Sequence, residues 1–278
     1  MRPVSPIKLG IVPGQLKMDF FGTTYIIIGG TTGMGLEAAM ALKNRGANIA
    51  VLGRNPDSVS AAQKTLGSDT IAISGDAMDP KSAETIIEAT HKAFGAIDGL
   101  FHVAGGSGRK WGDGPLDRMT LEGWNKTLEL NLTSIMLSNK AMVSYLLKHN
   151  RGGVILNMGS VLGASPSPKY FVTHAYAAAK SAIIGFSKSI ASYYANKDIR
   201  VNVITPSLFI TPMAKRAAED ANILAFLKTK QPLDGGRPGD PSDIVSAVLM
   251  FLHPSSKFIT GQVLSVDGGW SISEGQYS

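Results

Sequence analysis

The sequence contains no cysteine, which excludes disulfide bonds, thiolate zinc sites and a cysteine nucleophile. It also lacks a dense run of basic residues, because its 27 lysines and arginines are scattered. The net charge of +6 therefore indicates a mildly basic surface, and we expect no nucleic-acid partner. No long apolar run is present, and the opening segment MRPVSPIKLGIVPGQLKMDFFG carries Pro and Gly where a signal sequence would be apolar. We expect no membrane partner and a cytoplasmic location.

Short aliphatic runs alternate with longer helical patterns along the chain. Seven runs are typical of buried strands: TYIIIGG, ANIAVLGR, DTIAISGD, IDGLFHVAG, GGVILNMGS, IRVNVITP and GQVLSVDGG. Helical patterns lie at about 33–46, 56–66, 80–95, 120–150, 174–196 and 241–253. This alternation predicts an α/β class, a doubly wound Rossmann fold whose seven-stranded parallel sheet has helices on both faces. Ligands should bind at the carboxyl ends of the strands.

The composition changes at only one point along the 278 residues. We therefore expect an N-terminal extension over residues 1–17, followed by a single dinucleotide-binding catalytic domain over residues 18–278. After the sixth predicted strand, residues 208–232 form a helical stretch that contains Ala, Lys and Met. Because this stretch follows the carboxyl end of a strand, we expect it to close over a small-molecule substrate as a lid.

A glycine-rich loop, GGTTGMGLEAA, follows the first predicted strand and leads directly into a helix. Glycine permits the tight turn and lets backbone amides approach a pyrophosphate, while the helix N-terminus favours the negative charge. Its context after the first strand of an alternating pattern strengthens this interpretation. The residues expected to hold the pyrophosphate are Gly29, Thr31, Thr32, Gly33, Met34 and Gly35.

The glycine spacing G-x-x-x-G-x-G, together with Tyr176 and Lys180 in HAYAAAKSA, resembles the short-chain dehydrogenase/reductase family. The resemblance covers about residues 19–270, and the chain is similar throughout to 3-oxoacyl-acyl-carrier-protein reductases. It implies an NADP(H)-dependent oxidoreductase that interconverts a carbonyl and a secondary alcohol by hydride transfer, with a 3-oxoacyl thioester as the most specific candidate substrate. It also implies a homotetramer, with a dimer as the alternative.

The end of the second predicted strand, NIAVLGRN, bears on the choice of nicotinamide cofactor. An acidic residue there would accept a hydrogen bond from the ribose 2′-OH of NAD(H), whereas a guanidinium binds the 2′-phosphate of NADP(H). Gly53 stands where the acid would be, and Arg54 follows it. We therefore expect NADP(H); if Arg54 points to solvent, the site accepts NAD(H) as well.

The resemblance implies further cofactor contacts at the ends of the later strands. Asp76 matches a family position whose carboxylate faces the adenine amino group, although it could instead cap the next helix. Thr211 matches a threonine near the nicotinamide end, and Ile210 suits the carboxamide. The contacts expected beyond the glycine loop are Arg54, Asn55, Asp76, Ala77, Ala104, Gly105, Tyr176, Lys180, Pro206, Ile210 and Thr211.

Tyr176 and Lys180 are one helical turn apart, so their side chains share a helix face and can enter the same cleft. Moving a tyrosine pKa from about 10 toward 7 requires about 4 kcal/mol, which a nearby cation in a desolvated cleft can supply, so we expect Lys180 to lower the pKa of Tyr176. The resemblance implies that Tyr176 exchanges the proton and that Ser160 hydrogen-bonds the substrate oxygen. It assigns to Asn131 the local opening of a long helix and a water relay to Lys180.

The chain departs from the family at FHVAGG, where His102 and Val103 replace amide side chains. We expect His102 to be a buried histidine with its hydrogen bonds satisfied, with a catalytic base as the alternative. No metal is expected, because the five histidines show no ligand spacing with Asp or Glu.

The loop GGSGRKWGDGP and His174 are expected to border the substrate pocket. Arg109 and Lys110 would there meet an anionic substrate such as an acyl thioester, or else lie in a solvated loop. Trp111 would cover an apolar substrate or pack under the lid.

Two other functions stay open at this point. A catalytically silent, dinucleotide-binding redox sensor would typically lack the tyrosine or the lysine, and both are present here. A sugar-nucleotide epimerase or dehydratase would need a larger C-terminal substrate domain than the few residues after VDGG.

Overall fold

The structure, a computed structural model, describes residues 19–275 apart from the side chains of Met213 and Lys215. The predicted N-terminal extension over residues 1–17 lies outside the described residues. Among those that are described, no helix has both the length and the apolar character needed to cross a membrane.

Seven strands form one parallel sheet. They are β1 (Thr24–Ile28), β2 (Asn48–Gly53), β3 (Ile71–Ser74), β4 (Gly99–His102), β5 (Gly153–Met158), β6 (Ile199–Pro206) and β7 (Val263–Val266). Their order across the sheet is β3-β2-β1-β4-β5-β6-β7, and every neighbouring pair is parallel. The sheet predicted from the sequence is therefore confirmed.

Helices cover both faces of this sheet, as predicted. In the described residues they are α1 (Gly33–Lys43), α2 (Pro56–Leu66), α3 (Pro80–Phe94), α4 (Leu121–Leu128), α5 (Ser134–Lys148), α6 (His174–Tyr194), α7 (Lys215–Ala218), α8 (Ala221–Lys230) and α9 (Val245–Leu252). Helices α1 and α9 pack in the core on one face, and α3 and α5 pack in the core on the other. Because both faces of the sheet are covered, strand residues of either alternation can be apolar, and all five residues of β1 are buried.

The helix predicted over 120–150 is interrupted. Between α4 and α5 the chain makes one π-helical turn, Glu129–Thr133. Asn131 lies in this turn, and its side-chain Nδ2 donates to the backbone oxygens of Thr127 at 2.9 Å and Gly106 at 2.8 Å. The bond to Gly106 joins the widened turn to the loop after β4. Single π-helical turns inside α-helices are frequent at functional sites.

A buried amide pair fixes the sheet to the helices beside the site. Asn157 in β5 and Asn139 in α5 exchange two hydrogen bonds of 2.9 Å, and Asn157 also donates to Ser187 of α6 at 3.0 Å. All three side chains are at most 1% exposed. Since buried polar groups must be paired, this network specifies one packing of α5 and α6 against the sheet.

The direction of the connections reverses between β1 and β4, which lie side by side at the centre of the sheet. The loops that follow these two strands meet there: a Cβ atom at Gly29 would lie 2.7 Å from the backbone nitrogen of Ala104. Ligands of doubly wound folds bind in the crevice at such a switch point.

Candidate active site

A cavity of about 350 Å³ opens beyond the carboxyl ends of the central strands. Ser160, Tyr176 and Lys180 all line it, and so does Met34 of the glycine loop. The fold therefore brings the predicted chemical groups together with the predicted dinucleotide loop. Four of the cofactor residues expected near the nicotinamide end, Gly105, Pro206, Thr211 and Lys180, line the same cavity.

Where the glycine loop packs against neighbouring backbone, there is no room for a side chain. Gly29 and Gly33 have φ angles of 85° and 51°, which favour glycine. A Cβ atom at Gly35 would overlap the backbone oxygen of Gly29. Thr32 is the N-cap of α1 but gives no side-chain hydrogen bond, so the first amides of the helix have no partner from the cap.

The packing of Thr31 leaves no space for an acidic side chain at the end of β2. Its side chain is buried against Gly53, where a Cβ atom would overlap Oγ1 of Thr31. Arg54, the next residue, is exposed. Asn55 has its Oδ1 engaged as the N-cap of α2, accepting from the amides of Asp57 at 2.8 Å and Ser58 at 3.1 Å.

Asp76 lies at the end of β3 and does not cap the next helix. Its Oδ1 accepts the amide of Met78 at 3.0 Å, whereas Asp79 is the N-cap of α3 and accepts from Lys81 at 2.9 Å. The capping alternative for Asp76 is therefore wrong. Ala77 is half-buried and packs on the core between the sheet and α3.

Lys180 is buried beneath Tyr176. Its side chain is 2% exposed, and Nζ donates to the backbone oxygen of Met158 at 2.8 Å. Nζ also lies 5.6 Å from the centre of the Tyr176 ring. Burial lowers the pKa of Lys180 to about 7, because the ammonium loses its hydration.

The pKa of Tyr176 moves in the opposite direction to the sequence-based expectation. Burial raises it, because the phenolate would lose its hydration, and a hydrogen bond with Ser160 offsets part of this effect. Lys180 does not reverse this shift, although its Nζ lies 5.6 Å from the centre of the ring. The phenol is therefore held in its protonated form.

Ser160 lies two residues after the end of β5 and is the N-cap of a short 3₁₀ turn, Val161–Gly163. Its Oγ accepts the amide of Leu162 at 3.2 Å, and the residue is 6% exposed. This bond restrains the Ser160 side chain, which lines the cavity beside Tyr176.

Asn131 uses most of its hydrogen-bonding capacity on the protein. Both Nδ2 protons are donated, and Oδ1 accepts the amide of Gly106 at 3.0 Å. One lone pair of Oδ1 remains. It faces Gly105, where a Cβ atom would lie 2.8 Å from Oδ1 and 3.4 Å from Nζ of Lys180. The missing side chain of Gly105 thus leaves a gap between the amide and the ammonium.

Asp113, which the sequence analysis did not select, holds the start of α6. Its two carboxylate oxygens accept the amides of Ala175 and Tyr176, each at 3.0 Å, and it is 4% exposed. Thr173, the N-cap residue itself, makes no capping hydrogen bond. The pair is separated by more than sixty residues, so no local capping pattern could have revealed it.

His102 is a buried histidine with satisfied hydrogen bonds, as expected. Its Nδ1 lies 2.7 Å from Oγ of Ser138, and its Nε2 lies 3.1 Å from the backbone oxygen of Ala104. Burial, with a smaller effect of the Lys180 charge, lowers its pKa to about 3. At neutral pH the ring is therefore uncharged, and both of its nitrogens are hydrogen-bonded. The catalytic-base alternative is wrong.

The border of the cavity differs from the sequence-based expectation at several positions. Arg109 lines the cavity, but Lys110 does not, because its Nζ lies over the Trp111 ring at 4.2 Å from the centre. His174 is exposed and outside the lining. Ile210 is 54% exposed and also lies outside the lining, and its contact with the carboxamide stays a prediction.

Trp270 is a wall residue that no sequence motif indicated. It is 1% exposed and donates from Nε1 to the backbone oxygen of Ser165 at 3.2 Å. Phe171 and Phe226 pack edge-on against its ring. The predicted lid also contributes, since Leu208 and Ala217 belong to the same apolar cluster and line the cavity.

No group of three or more His, Asp or Glu side chains within the described part of the chain could hold a metal ion.

Comparison with known proteins gives a consistent picture. The family model described as Enoyl-(Acyl carrier protein) reductase matches residues 29–271. Carbonyl reductase family member 4 of Danio rerio is 35% identical over 248 residues, which cover 89% of this chain and 97% of the relative. The 3-oxoacyl-[acyl-carrier-protein] reductase FabG of Vibrio cholerae is 34% identical, with 91% and 98% covered. A short-chain type dehydrogenase/reductase from Mycobacterium ulcerans has a similar structure, with a TM-score of 0.82, 28% identity and 92% of each chain covered.

Proposed function

The chain belongs to the short-chain dehydrogenase/reductase family, and we propose that Tyr176 is its proton donor in the reduction of a carbonyl to a secondary alcohol with NADPH. The family predicted from the sequence is confirmed, and with it an oxidoreductase that acts on CH–OH groups. One observation carries the proposal: Tyr176, Ser160 and Lys180 line a single cavity that the glycine loop also borders.

The residues present fit a nicotinamide dinucleotide. The glycine loop has no room for side chains where a pyrophosphate would approach the backbone, and the amides at the start of α1 have no capping partner. We assign the pyrophosphate to this loop and the ribose next to the nicotinamide to Lys180. When bound, the nicotinamide supplies or accepts the hydride.

The protonation of Tyr176 supports the reductive direction. Because burial raises its pKa, the phenol carries its proton at neutral pH and can donate it to a carbonyl oxygen held between Tyr176 and Ser160. Ser160 is fixed by its bond to the Leu162 amide and orients that oxygen. Lys180, buried against Met158, supplies a second proton-exchanging group behind the phenol.

The preference for NADP(H) over NAD(H) is part of the proposal. Thr31 occupies the space that an acidic side chain at position 53 would need, and the exposed guanidinium of Arg54 is next in the chain. A guanidinium attracts a 2′-phosphate, and an acid would repel it. The test is the ratio of kcat/KM for NADPH and NADH. We expect Arg54→Ala to reduce this ratio at least about tenfold, whereas an unchanged ratio would remove the argument.

Several relatives are 3-oxoacyl-[acyl-carrier-protein] reductases, so a 3-oxoacyl thioester is one candidate substrate class. A panel of 3-oxoacyl thioesters, simple ketones and secondary alcohols, followed by NADPH absorbance, tests both the reaction and the substrate class. If every compound fails while NADPH binds tightly, the result favours the catalytically silent redox sensor over the proposed reductase.

Four further expectations stay predictions: a homotetramer, a cytoplasmic location, the lid over residues 208–232 and the single catalytic domain. The apolar residues exposed on the edge strand β7, Val263 and Leu264, support an assembly through that edge.

A further inference from the structure

Two arginines border the candidate active site from different parts of the chain. Arg109 begins the 3₁₀ turn Arg109–Trp111 in the loop after β4, and Arg216 lies in α7 of the predicted lid. Both line the cavity that Ser160 and Tyr176 also line. They are close enough for the charge of Arg216 to lower the pKa of Arg109, in addition to the larger effect of burial.

Neither guanidinium has an anionic partner in the described part of the chain. None of the ion pairs found there includes Arg109 or Arg216. The charge of the Asp113 carboxylate raises the pKa of Arg109, but both of its oxygens accept the two amides at the start of α6. The hydrogen bond from Nη2 of Arg109 to the backbone oxygen of Tyr170 is long, at 3.4 Å. Two like charges at exposed residues thus face one cavity, with only the Asp113 carboxylate as a partial counter-charge near Arg109. An anion bound between them would reduce their mutual repulsion.

The remainder of the cavity wall is mainly apolar. Leu162, Phe171, Leu208 and Trp270 line it together with the two arginines and the hydroxyl groups of Ser160 and Tyr176. A ligand that fits this arrangement has an apolar body, a carbonyl at one end and an anion at the other. Specificity in such pockets comes from the few polar groups that converge on the ligand.

We propose that Arg109 and Arg216 form an anion subsite, and that the substrate is a short oxo acid whose carboxylate binds there while its carbonyl meets Ser160 and Tyr176. Arginine suits this task because its planar donors match both oxygens of a carboxylate. The inference rests on the proposed function, since it names the substrate class of the same site.

The position of the two arginines favours a carboxylate on the substrate itself over the phosphate of a thioester carrier. Both arginines line the same cavity as Ser160 and Tyr176, so an anion held by them lies within a short chain of the reacting carbonyl. In a carrier-bound thioester, a whole pantetheine arm separates the phosphate from the carbonyl. We therefore expect the phosphate of a carrier to lie farther from the carbonyl than these two arginines do.

Benzoylpropanoate and its uncharged amide form a matched pair of probes, each with an aromatic body and a ketone. Their binding to the protein saturated with NADP⁺ can be measured by calorimetry, which needs no turnover. We expect the carboxylate to bind at least about tenfold more tightly than the amide, since hydrogen bonds to charged groups are worth more than neutral ones. Arg109→Gln and Arg216→Gln should each remove most of this preference, and Arg109→Lys should retain part of it.

Lys110→Gln is the matched control. It removes the same charge from the neighbouring residue, whose ammonium lies over Trp111 and outside the cavity lining. The preference for the carboxylate should be unchanged in this variant. Equal binding of the two probes by the wild type, or the same loss in Lys110→Gln as in Arg109→Gln, would overturn the inference.

Turnover separates this inference from the proposed function. If the carboxylate binds through both arginines but NADPH does not reduce it or any other ketone, the anion subsite stands and the proposed reaction fails. If the arginine variants raise KM for acetoacetyl-CoA and leave the binding of benzoylpropanoate unchanged, the anion is the phosphate of a carrier, and the oxo-acid inference is wrong.

Discussion

The carboxylate of Asp113 accepts the backbone amide of Tyr176 at 3.0 Å, although the two residues are far apart in the sequence. The other oxygen of Asp113 accepts the amide of Ala175, so one buried side chain supplies the cap that Thr173 does not. Negative charge and acceptor oxygens at a helix N-terminus stabilise the helix. The loop after β4 therefore holds the first turn of α6, which carries Tyr176.

Replacing Asp113 should affect stability and catalysis together. We expect Asp113→Ala to lower the free energy of unfolding by about 1–2 kcal/mol, because two helix amides lose their partners. The kcat should fall more than the affinity for NADPH, because the change displaces Tyr176 and leaves the glycine loop intact. Urea unfolding and steady-state kinetics measure the two effects. Asp117→Ala is the control, since the Asp117 carboxylate is exposed and pairs only with exposed Arg118; equal effects of both variants would contradict this role.

The gap in front of Gly105 gives a second prediction. A methyl group there would lie 2.8 Å from Oδ1 of Asn131 and 3.4 Å from Nζ of Lys180, where a water linking the two would have to be. We expect Gly105→Ala to reduce kcat at least about tenfold, because displacements of about 1 Å near reacting groups are costly. Gly114→Ala in the same loop meets nothing within 4 Å and should leave kcat unchanged. Full activity of Gly105→Ala would rule out a relay through this gap.

The buried ring of His102 predicts sensitivity to acid. Its pKa is lowered to about 3 in the folded protein, against 6.5 as its ordinary value. As the pH falls from 6.5 toward 3, the unfolded chain binds a proton that the folded protein does not, so this residue lowers stability by about 1.4 kcal/mol per pH unit in that window. Above pH 6.5 it has no such effect.

In His102→Asn, the amide can still donate to the Ala104 oxygen and bond to Ser138. Between pH 6 and 4, we expect the unfolding free energy to fall less steeply with pH than in the wild type, by about 1.4 kcal/mol per pH unit, which corresponds to one proton. Activity at neutral pH should be retained. Urea unfolding across this range gives the slope. An unchanged slope, or complete loss of turnover at neutral pH, contradicts a neutral structural histidine.

Features with a local sequence pattern could be predicted, and features made by tertiary contact could not. The glycine loop, the strand alternation and the spacing of Tyr176 and Lys180 are set by residues close together in the chain, because turns and helix faces have fixed periods. The cap from Asp113, the packing of Thr31 on Gly53 and the cavity wall at Trp270 join distant segments. No spacing rule describes them.

The direction of a pKa shift also needs the structure. The sequence predicts that Lys180 lowers the pKa of Tyr176, because opposite charges one helical turn apart attract. In the folded protein Lys180 is buried and Tyr176 is half-buried, and desolvation raises the pKa of the phenol while it lowers that of the amine to about 7. Burial depends on what packs above a helix face, which the spacing along that face does not reveal.

The central claim is that the hydroxyl of Tyr176 delivers the proton in a reaction that uses NADPH. The most direct test is single-turnover oxidation of NADPH by Tyr176→Phe, compared with the wild type on a ketone that the wild type reduces. We expect the same dissociation constant for NADPH and a loss of rate of at least about a hundredfold, since only the proton donor is removed. A variant that binds NADPH and reduces the ketone at the wild-type rate would contradict the account.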